Sequence, residues 1–343
     1  MNRRKFIHKG AVGMMASLLP DFACKTKRSG NYDPVMTVTG EMSAENMGFT
    51  LTHEHILVDF SGADKYDPSK WDDDSVIEVV TPYLEEIVKL GCNSFIDCTP
   101  EYIGRDPYVL RRLSQGTGLN ILTNTGIYGA SDNKYVPDYA YRESADDLSR
   151  RWVREFEEGI GDTGIKPGFM KIGVAPGSLS EMHKKLVTAA AKTHLLTGLT
   201  IASHTGPAIP AFEELRILQD NGIHPEAFVW VHAQNEKNTE LHIRAAEMGA
   251  WVSLDGLNEE NVDQYLDYLK NFRNNRLLHK VLISHDAGWY SPGEENGGEF
   301  RPYTAVFKRL IPALASNGFD QEKINTIFMD NPGKAFSVRV REN

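Results

Sequence analysis

Six residues able to bind a metal close short apolar runs that are scattered from position 53 to position 286. That placement constrains the fold more than any other feature of the chain. His53 and His55, in Thr52-His53-Glu54-His55, follow Gly48-Phe49-Thr50-Leu51. Lys171 ends Gly168-Phe169-Met170, His204 ends Leu199 to Ser203, His232 ends Phe228 to Val231, and Asp286 ends Val281 to His285. When the last residue of one strand after another is polar and ligand-like, the natural geometry is a parallel β-barrel, whose active site gathers at the carboxyl ends of its strands.

The rest of the pattern agrees. Runs at 49–51, 93–97, 120–125, 168–172, 199–203, 228–231, 250–254 and 281–284 are short and apolar on both faces, as buried parallel strands are. Amphipathic segments lie between them. Residues 75–90 place Val76, Val80, Leu84 and Ile87 on one face and stop at Gly91. Segments 180–197, 210–221 and 239–248 each end at a glycine too. Helix, glycine, strand is the βα unit, and eight of them predict an α/β fold, a (β/α)8 TIM barrel. A doubly wound sheet is the alternative, but no glycine-rich phosphate fingerprint follows the first strand.

Residues 1–30 are expected to lie outside this barrel, which then takes up 31–343. Asn2-Arg3-Arg4-Lys5-Phe6 followed by a short apolar stretch resembles a twin-arginine export signal, too short to span a bilayer. The expectation is an exported, periplasmic protein, with Cys24 a candidate for lipidation and hence a membrane anchor. Cys92 and Cys98, in an apolar run, read as buried thiols. The formal net charge of −10 argues against nucleic acid as a partner and leaves a small molecule.

His53 and His55 are two apart on a strand and therefore share a face. Imidazole suits zinc and its neighbours, with manganese, cobalt and iron also compatible with nitrogen and oxygen ligands. A lysine ending a buried strand is costly to keep charged, and burial makes it a nucleophile. Lys171 thus suits either a Schiff base or, by reaction with carbon dioxide, a carbamate that bridges two metals. The histidine cluster favours the carbamate. The other histidines, at 8, 183, 194, 224, 242 and 279, fall on helices or connections and read as structural.

In this order and spacing, the motifs Thr52-His53-Glu54-His55, Gly168 to Ile172, Ser203-His204-Thr205, Trp230-Val231-His232 and Ser284-His285-Asp286 resemble the phosphotriesterase family of the amidohydrolase superfamily. Asp97-Cys98-Thr99, Asn124 to Tyr128 and Asn331-Pro332 add to the likeness, which spans about 35–337. The resemblance implies two divalent metals, zinc by default. His53, His55 and Asp286 would hold the first, and His204 and His232 the second, with carbamylated Lys171 and a hydroxide bridging them. Asp286 and Lys171 would be the catalytic residues. It also implies a homodimer.

One position departs from the family. After Asp255, phosphotriesterases carry a histidine and the lactonases an arginine, whereas this chain has Gly256. Candidate substrate contacts are Tyr128, Asp255 and, in the long segment after Asp286, Trp289, Tyr290 and Arg301. The expected activity is metal-dependent hydrolysis of a lactone or carboxylic ester, with phosphotriester cleavage as a side activity. An amidase for a small N-acyl compound and a non-catalytic exported binding protein are the alternatives.

Overall fold

The computed structural model describes residues 33–343. The export-signal reading of residues 1–30, and with it Cys24, lies outside the described residues. A small antiparallel hairpin comes first, β1 (Pro34–Thr37) with β2 (Gly40–Ser43). The strands that follow are β3 (Thr50–Leu57), β4 (Ser94–Asp97), β5 (Asn120–Leu122), β6 (Asn124–Thr125), β7 (Phe169–Gly173), β8 (Ile201–His204), β9 (Phe228–Val231), β10 (Trp251–Leu254), β11 (Val281–Ile283) and β12 (Gly288–Tyr290). Every neighbouring pair from β3 onward is parallel.

The predicted strand at 120–125 is one barrel strand broken at Thr123: β5 pairs with β4, and β6 pairs with β7. Counted so, and setting β12 aside, eight parallel strands run in sequence order around a TIM barrel. Between β11 and β3 the ring is closed by side chains as well as backbone. The Asp286 amide donates to the His53 carbonyl, and the His53 amide donates to Ser284 Oγ at 3.0 Å.

Alternation along each strand sorts side chains into two layers. On β9, Val229 and Val231 point into the barrel, while Phe228 and Trp230 face the surrounding helices. On β8, Ala202 and His204 share the inward face. On β3 the alternation is shifted once, by an irregularity between Leu51 and Glu54. Without it, the outward Leu51 would put His53 outward too. The shift aims both histidines at the barrel axis, a known use of such irregularities beside functional sites.

The helices form where capping chemistry starts them and glycine stops them. Helix Glu181–Thr197 opens on Ser180, whose side chain accepts from the His183 amide, and closes at Gly198 in the left-handed conformation. The helix expected to begin at Ser75 runs Asp73–Lys89 instead, because Asp72 is the cap: its carboxylate accepts from the Ser75 amide. Cys92 and Cys98 are buried free thiols, as expected. Of the histidines read as structural, His183, His194 and His242 each bond a backbone carbonyl.

Candidate metal centre

Each of the six candidate ligands reaches the barrel mouth by the inward face or the last turn of its strand. His53 and His55 come from β3, Lys171 from β7 and His204 from the end of β8. His232 and Asp286 follow β9 and β11 in the left-handed conformation, with φ of 59° and 53°. Neither residue type prefers that conformation, which persists only where surrounding contacts enforce it. All six line one cavity that holds about 520 Å³ of empty space, counted out to solvent at its mouth.

His55 Nε2 lies 3.0 Å and His53 Nε2 3.7 Å from Asp286 Oδ1, so these three side chains can share one ion. The His204 and His232 rings stand 4.3 Å apart, centroid to centroid. Lys171 Nζ is 3.3 Å from His53 Nε2 and only 2 % of the residue is exposed. That contact is an imidazole, not an acid, and among the described residues no carboxylate lies within ion-pair distance of the Lys171 amine.

The histidine rings are oriented from behind. Asp255, fully buried, accepts four hydrogen bonds: from the His232 amide, His232 Nδ1, Gln234 Nε2 and Ser253 Oγ. Its Oδ2 also lies 3.2 Å from His53 Nδ1. With its oxygens so occupied, Asp255 fixes the His232 imidazole with Nε2 facing the cavity, while its contact with His53 Nδ1 falls short of hydrogen-bond geometry. His55 is held in the same way by Thr99, whose Oγ1 lies 2.8 Å from His55 Nδ1. Thr99 is positioned in turn by Asp97, which accepts from its amide.

Charge follows from this packing. Burial and the nearby Lys171 hold the His53 imidazole down to about 4, against the pull of Asp255. Burial, His232 and Lys171 put His204 well below its ordinary value. Both are therefore neutral at pH 7, the form that binds metals. Burial alone would raise the Asp286 carboxyl. Its hydrogen bond with His55 and the neighbouring imidazoles outweigh that and hold it well below the carboxylate range. Four imidazoles, a carboxylate and a buried lysine converging on one cavity fit a pair of divalent cations.

The profile of the phosphotriesterase family matches residues 33–336. The chain belongs to the phosphotriesterase family. That makes it a member of a family of metal-dependent hydrolases with binuclear centres. It is 27% identical to a phosphotriesterase homology protein of Escherichia coli over 86% of this chain and 100% of that one. It is 28% identical to the aryldialkylphosphatase of Saccharolobus solfataricus over 86% of this chain and 97% of that one. Its fold matches a variant of organophosphorus hydrolase from Deinococcus radiodurans, with a TM-score of 0.80 at 23% identity, covering 90% of this chain and 98% of that one. More distant family relatives are a phospho-furanose lactonase of Mycoplasmopsis agalactiae (25% identical over 87% of this chain and 90% of that one) and an N-acetyltaurine hydrolase of Tetraodon nigroviridis (26% over 87% and 96%).

The expected substrate contacts divide. Tyr128 and Trp289 line the cavity, with the Tyr128 ring 4.9 Å from that of His204 and the Trp289 ring 6.3 Å from that of His55. Asp255 does not line it, for it stands behind the histidines. Tyr290 turns away and packs against Gly297. Arg301 lies over the outer face of Trp289, 3.7 Å from the ring centroid, and donates to the Asp286 carbonyl at 2.6 Å. Its guanidinium thus braces the rim instead of entering the cavity. Gly288 to Tyr290, expected as loop, form β12 because they pair with β3. A Cβ on Gly288 would sit 1.9 Å from the His55 carbonyl, so only glycine allows that approach. Wall residues that no sequence pattern singled out are Val58, Phe60 and Ile103.

Glu214 is a second buried acid with a readable effect. Ser203 Oγ donates to its Oε1 at 2.5 Å, and Thr205 Oγ1 lies 2.7 Å from its Oε2, so it grips both neighbours of His204. Thr205 Oγ1 also lies 2.9 Å from the Ser203 carbonyl, which can only accept. Its single proton serves one of these bonds, and the other requires a proton on Glu214. Burial pushes the Glu214 carboxyl up to about 8, against those two hydroxyls. An acid with a raised folded value keeps its proton in the folded state after the unfolded chain has lost it. Stability from this group is full below the unfolded value near 4.5 and falls as pH rises to about 8, by roughly 1.4 kcal/mol per pH unit. Urea unfolding of Glu214→Gln, which keeps both bonds, is therefore expected to show a shallower loss between pH 5 and 8 than the parent. Identical pH profiles would mean that Glu214 is ionised in the folded protein.

Proposed function

We propose that this chain hydrolyses a neutral lactone or carboxylic ester through a binuclear metal centre, zinc by default. His53, His55 and Asp286 would hold one ion and His204 and His232 the other, with a carbamate on Lys171 supplying a further anionic ligand. When bound, the two metals would supply activated water and polarise the scissile carbonyl. The chain's own residues do the rest. Asp286, kept ionised by its surroundings, accepts the proton of the attacking water. Asp255 and Thr99 hold the imidazoles in the tautomer that faces the cavity. Tyr128 and Trp289 close around the acyl portion and exclude water.

The observation that carries the substrate class is the wall of the cavity. Besides the candidate ligands it presents Val58, Phe60, Cys98, Pro100, Ile103, Tyr128 and Trp289, and Arg301 is not among its lining residues. With Lys171 taken up by the proposed carbamate, a phosphate or sulfonate meets no other lysine or arginine among the described wall residues, while an apolar acyl group finds complementary surface. This favours neutral substrates over the anionic N-acyl and sugar-phosphate compounds that the names of two relatives suggest. A hydrolysis panel of lactones, carboxylic esters, N-acyl amino and sulfonic acids and phosphotriesters tests it. Neutral lactones or esters are expected to lead, and Trp289→Ala is expected to raise their KM about tenfold with little change in kcat. Turnover confined to N-acyl sulfonic acids would overturn the ester reading and leave the amidase. Export by the twin-arginine signal, a lipid anchor at Cys24 and a homodimer belong to the same reading. Fractionation of the full chain between periplasm, membrane and cytoplasm tests the first two.

A further inference from the structure

Glu54 stands between two candidate ligands, His53 and His55, yet its side chain points the opposite way, outward from the barrel axis. It is fully buried, and among the described residues it forms no ion pair with a lysine or arginine. Its carboxylate is satisfied instead by the short segment that carries Asp286. Oε1 accepts from Ser284 Oγ at 2.7 Å, from the His285 amide at 3.0 Å and from His285 Nδ1 at 2.6 Å. Oε2 accepts from the Ala287 amide at 2.9 Å. The direction of the imidazole bond is set by its other end, because His285 Nε2 accepts from the Val306 amide at 3.0 Å. The proton therefore sits on Nδ1 and points at Glu54.

These bonds surround Asp286 without touching its carboxylate. They engage the residues on both sides of it, while Asp286 itself is held left-handed at φ 53°. A non-glycine residue in that conformation needs its neighbours fixed. The carboxylate of Asp286 reaches His55 and His53 only because the turn bends there. Donors to a single buried carboxylate are strong and short-ranged, so their loss frees the turn locally.

We propose that Glu54 is the positioning residue for Asp286: it clasps the Ser284–Ala287 turn and thereby sets the affinity of the His53–His55–Asp286 half of the metal centre. The clasp depends on the metal assignment made under the proposed function, but its mechanical half does not. Val306 begins the segment that follows the long rim loop. The His285 bridge thus ties the far end of that loop to the same clasp.

Two readouts on the full chain test this, with Glu54→Gln and, as a second variant in case the first folds poorly, His285→Leu. The carboxamide offers one acceptor oxygen in place of two and sets an N–H donor against donors already there. Hydrogen exchange on metal-free protein is expected to speed at least about tenfold at the His285 and Ala287 amides, with β8 and β9 unchanged. Zinc titration of the metal-free chain is expected to show one of its two sites weakened roughly 10–100-fold and the other kept. His285→Leu is expected to act in the same direction with a smaller effect. Exchange that rises uniformly around the barrel, or not at all, would overturn the clasp. Two sites weakened equally would overturn its selectivity for Asp286. A parent chain that takes up no zinc, with local exchange still faster in the variants, would instead remove the metal reading and leave the mechanical clasp.

Discussion

Lys171→Met is expected to lower turnover by about a thousandfold or more and, at the same time, to raise the melting temperature of the metal-free protein. The first effect follows from the place of Lys171 in the cavity that the candidate ligands line, where the proposed carbamate would supply an anionic ligand. Electrostatic groups at such centres account for factors on the order of a thousand. The second effect follows from burial. The Lys171 amine is 2 % exposed and its contact is the imidazole of His53, which burial keeps neutral. A buried polar group without a well-matched partner costs on the order of a few kcal/mol, and a methionine of similar length removes that cost while filling the same space. A rise of a few degrees in the metal-free form, read by calorimetry, is the expected size. Unchanged turnover would show that Lys171 does not take part in the centre. Lost turnover with a lower melting temperature would show that the lysine is charged and well paired.

Asp255→Ala gives the second large effect. It removes the acceptor of four hydrogen bonds and strands the Nδ1 of His232 in a buried site. Leaving such donors unpaired costs about 3–5 kcal/mol of folding stability. Loss of the orienting carboxylate is expected to weaken metal binding by roughly 10–100-fold. Because Asp255 stands behind the histidines, kcat is expected to fall with KM nearly unchanged when metal is saturating. A rise in KM at full metal loading, with kcat kept, would put Asp255 in contact with substrate after all. Asp255→Asn keeps one acceptor oxygen and is expected to fall between the parent and the alanine variant.

The contrast between Asp255 and Asp286 shows what the sequence carries. Both are acids within three residues of the end of a short apolar strand, so the pattern is much the same. What separates them is a backbone conformation and a set of partners. Asp286 turns left-handed toward the mouth, while Asp255 meets the inner nitrogens of two histidines. No local pattern encodes that difference, since His53 and His232 come from strands far away in sequence. The barrel itself was legible because buried parallel strands are apolar on both faces and their polar terminators stand out. Even there, the break at Thr123 and the pairing of Gly288 to Tyr290 with β3 depend on neighbouring strands.

The rim was least legible for a similar reason. Trp289, Tyr290 and Arg301 are adjacent to the site in sequence, yet only Trp289 faces the cavity. Arg301 is drawn back by the Trp289 ring and the Asp286 carbonyl, and Tyr290 by the turn at Gly297. Glu54 left a signal that could have been used. A carboxylate between two inward histidines on a strand must point outward into the layer beneath the helices, where it needs donors. Gly256 is also explained by its surroundings. A Cβ there would come within 2.8 Å of Gln234 Nε2, and Gln234 in turn bonds Asp255. The space that a larger residue would use next to Asp255 is thus taken by Gln234.

Six residues from five strands would hold two metal ions in one centre. Elemental analysis of the protein, reconstituted with zinc and bicarbonate and then freed of loose metal, tests it most directly. About two zinc ions per chain are expected, falling to one or none in Lys171→Met. A parent chain that retains no metal under those conditions would contradict the account and leave the barrel without its chemistry.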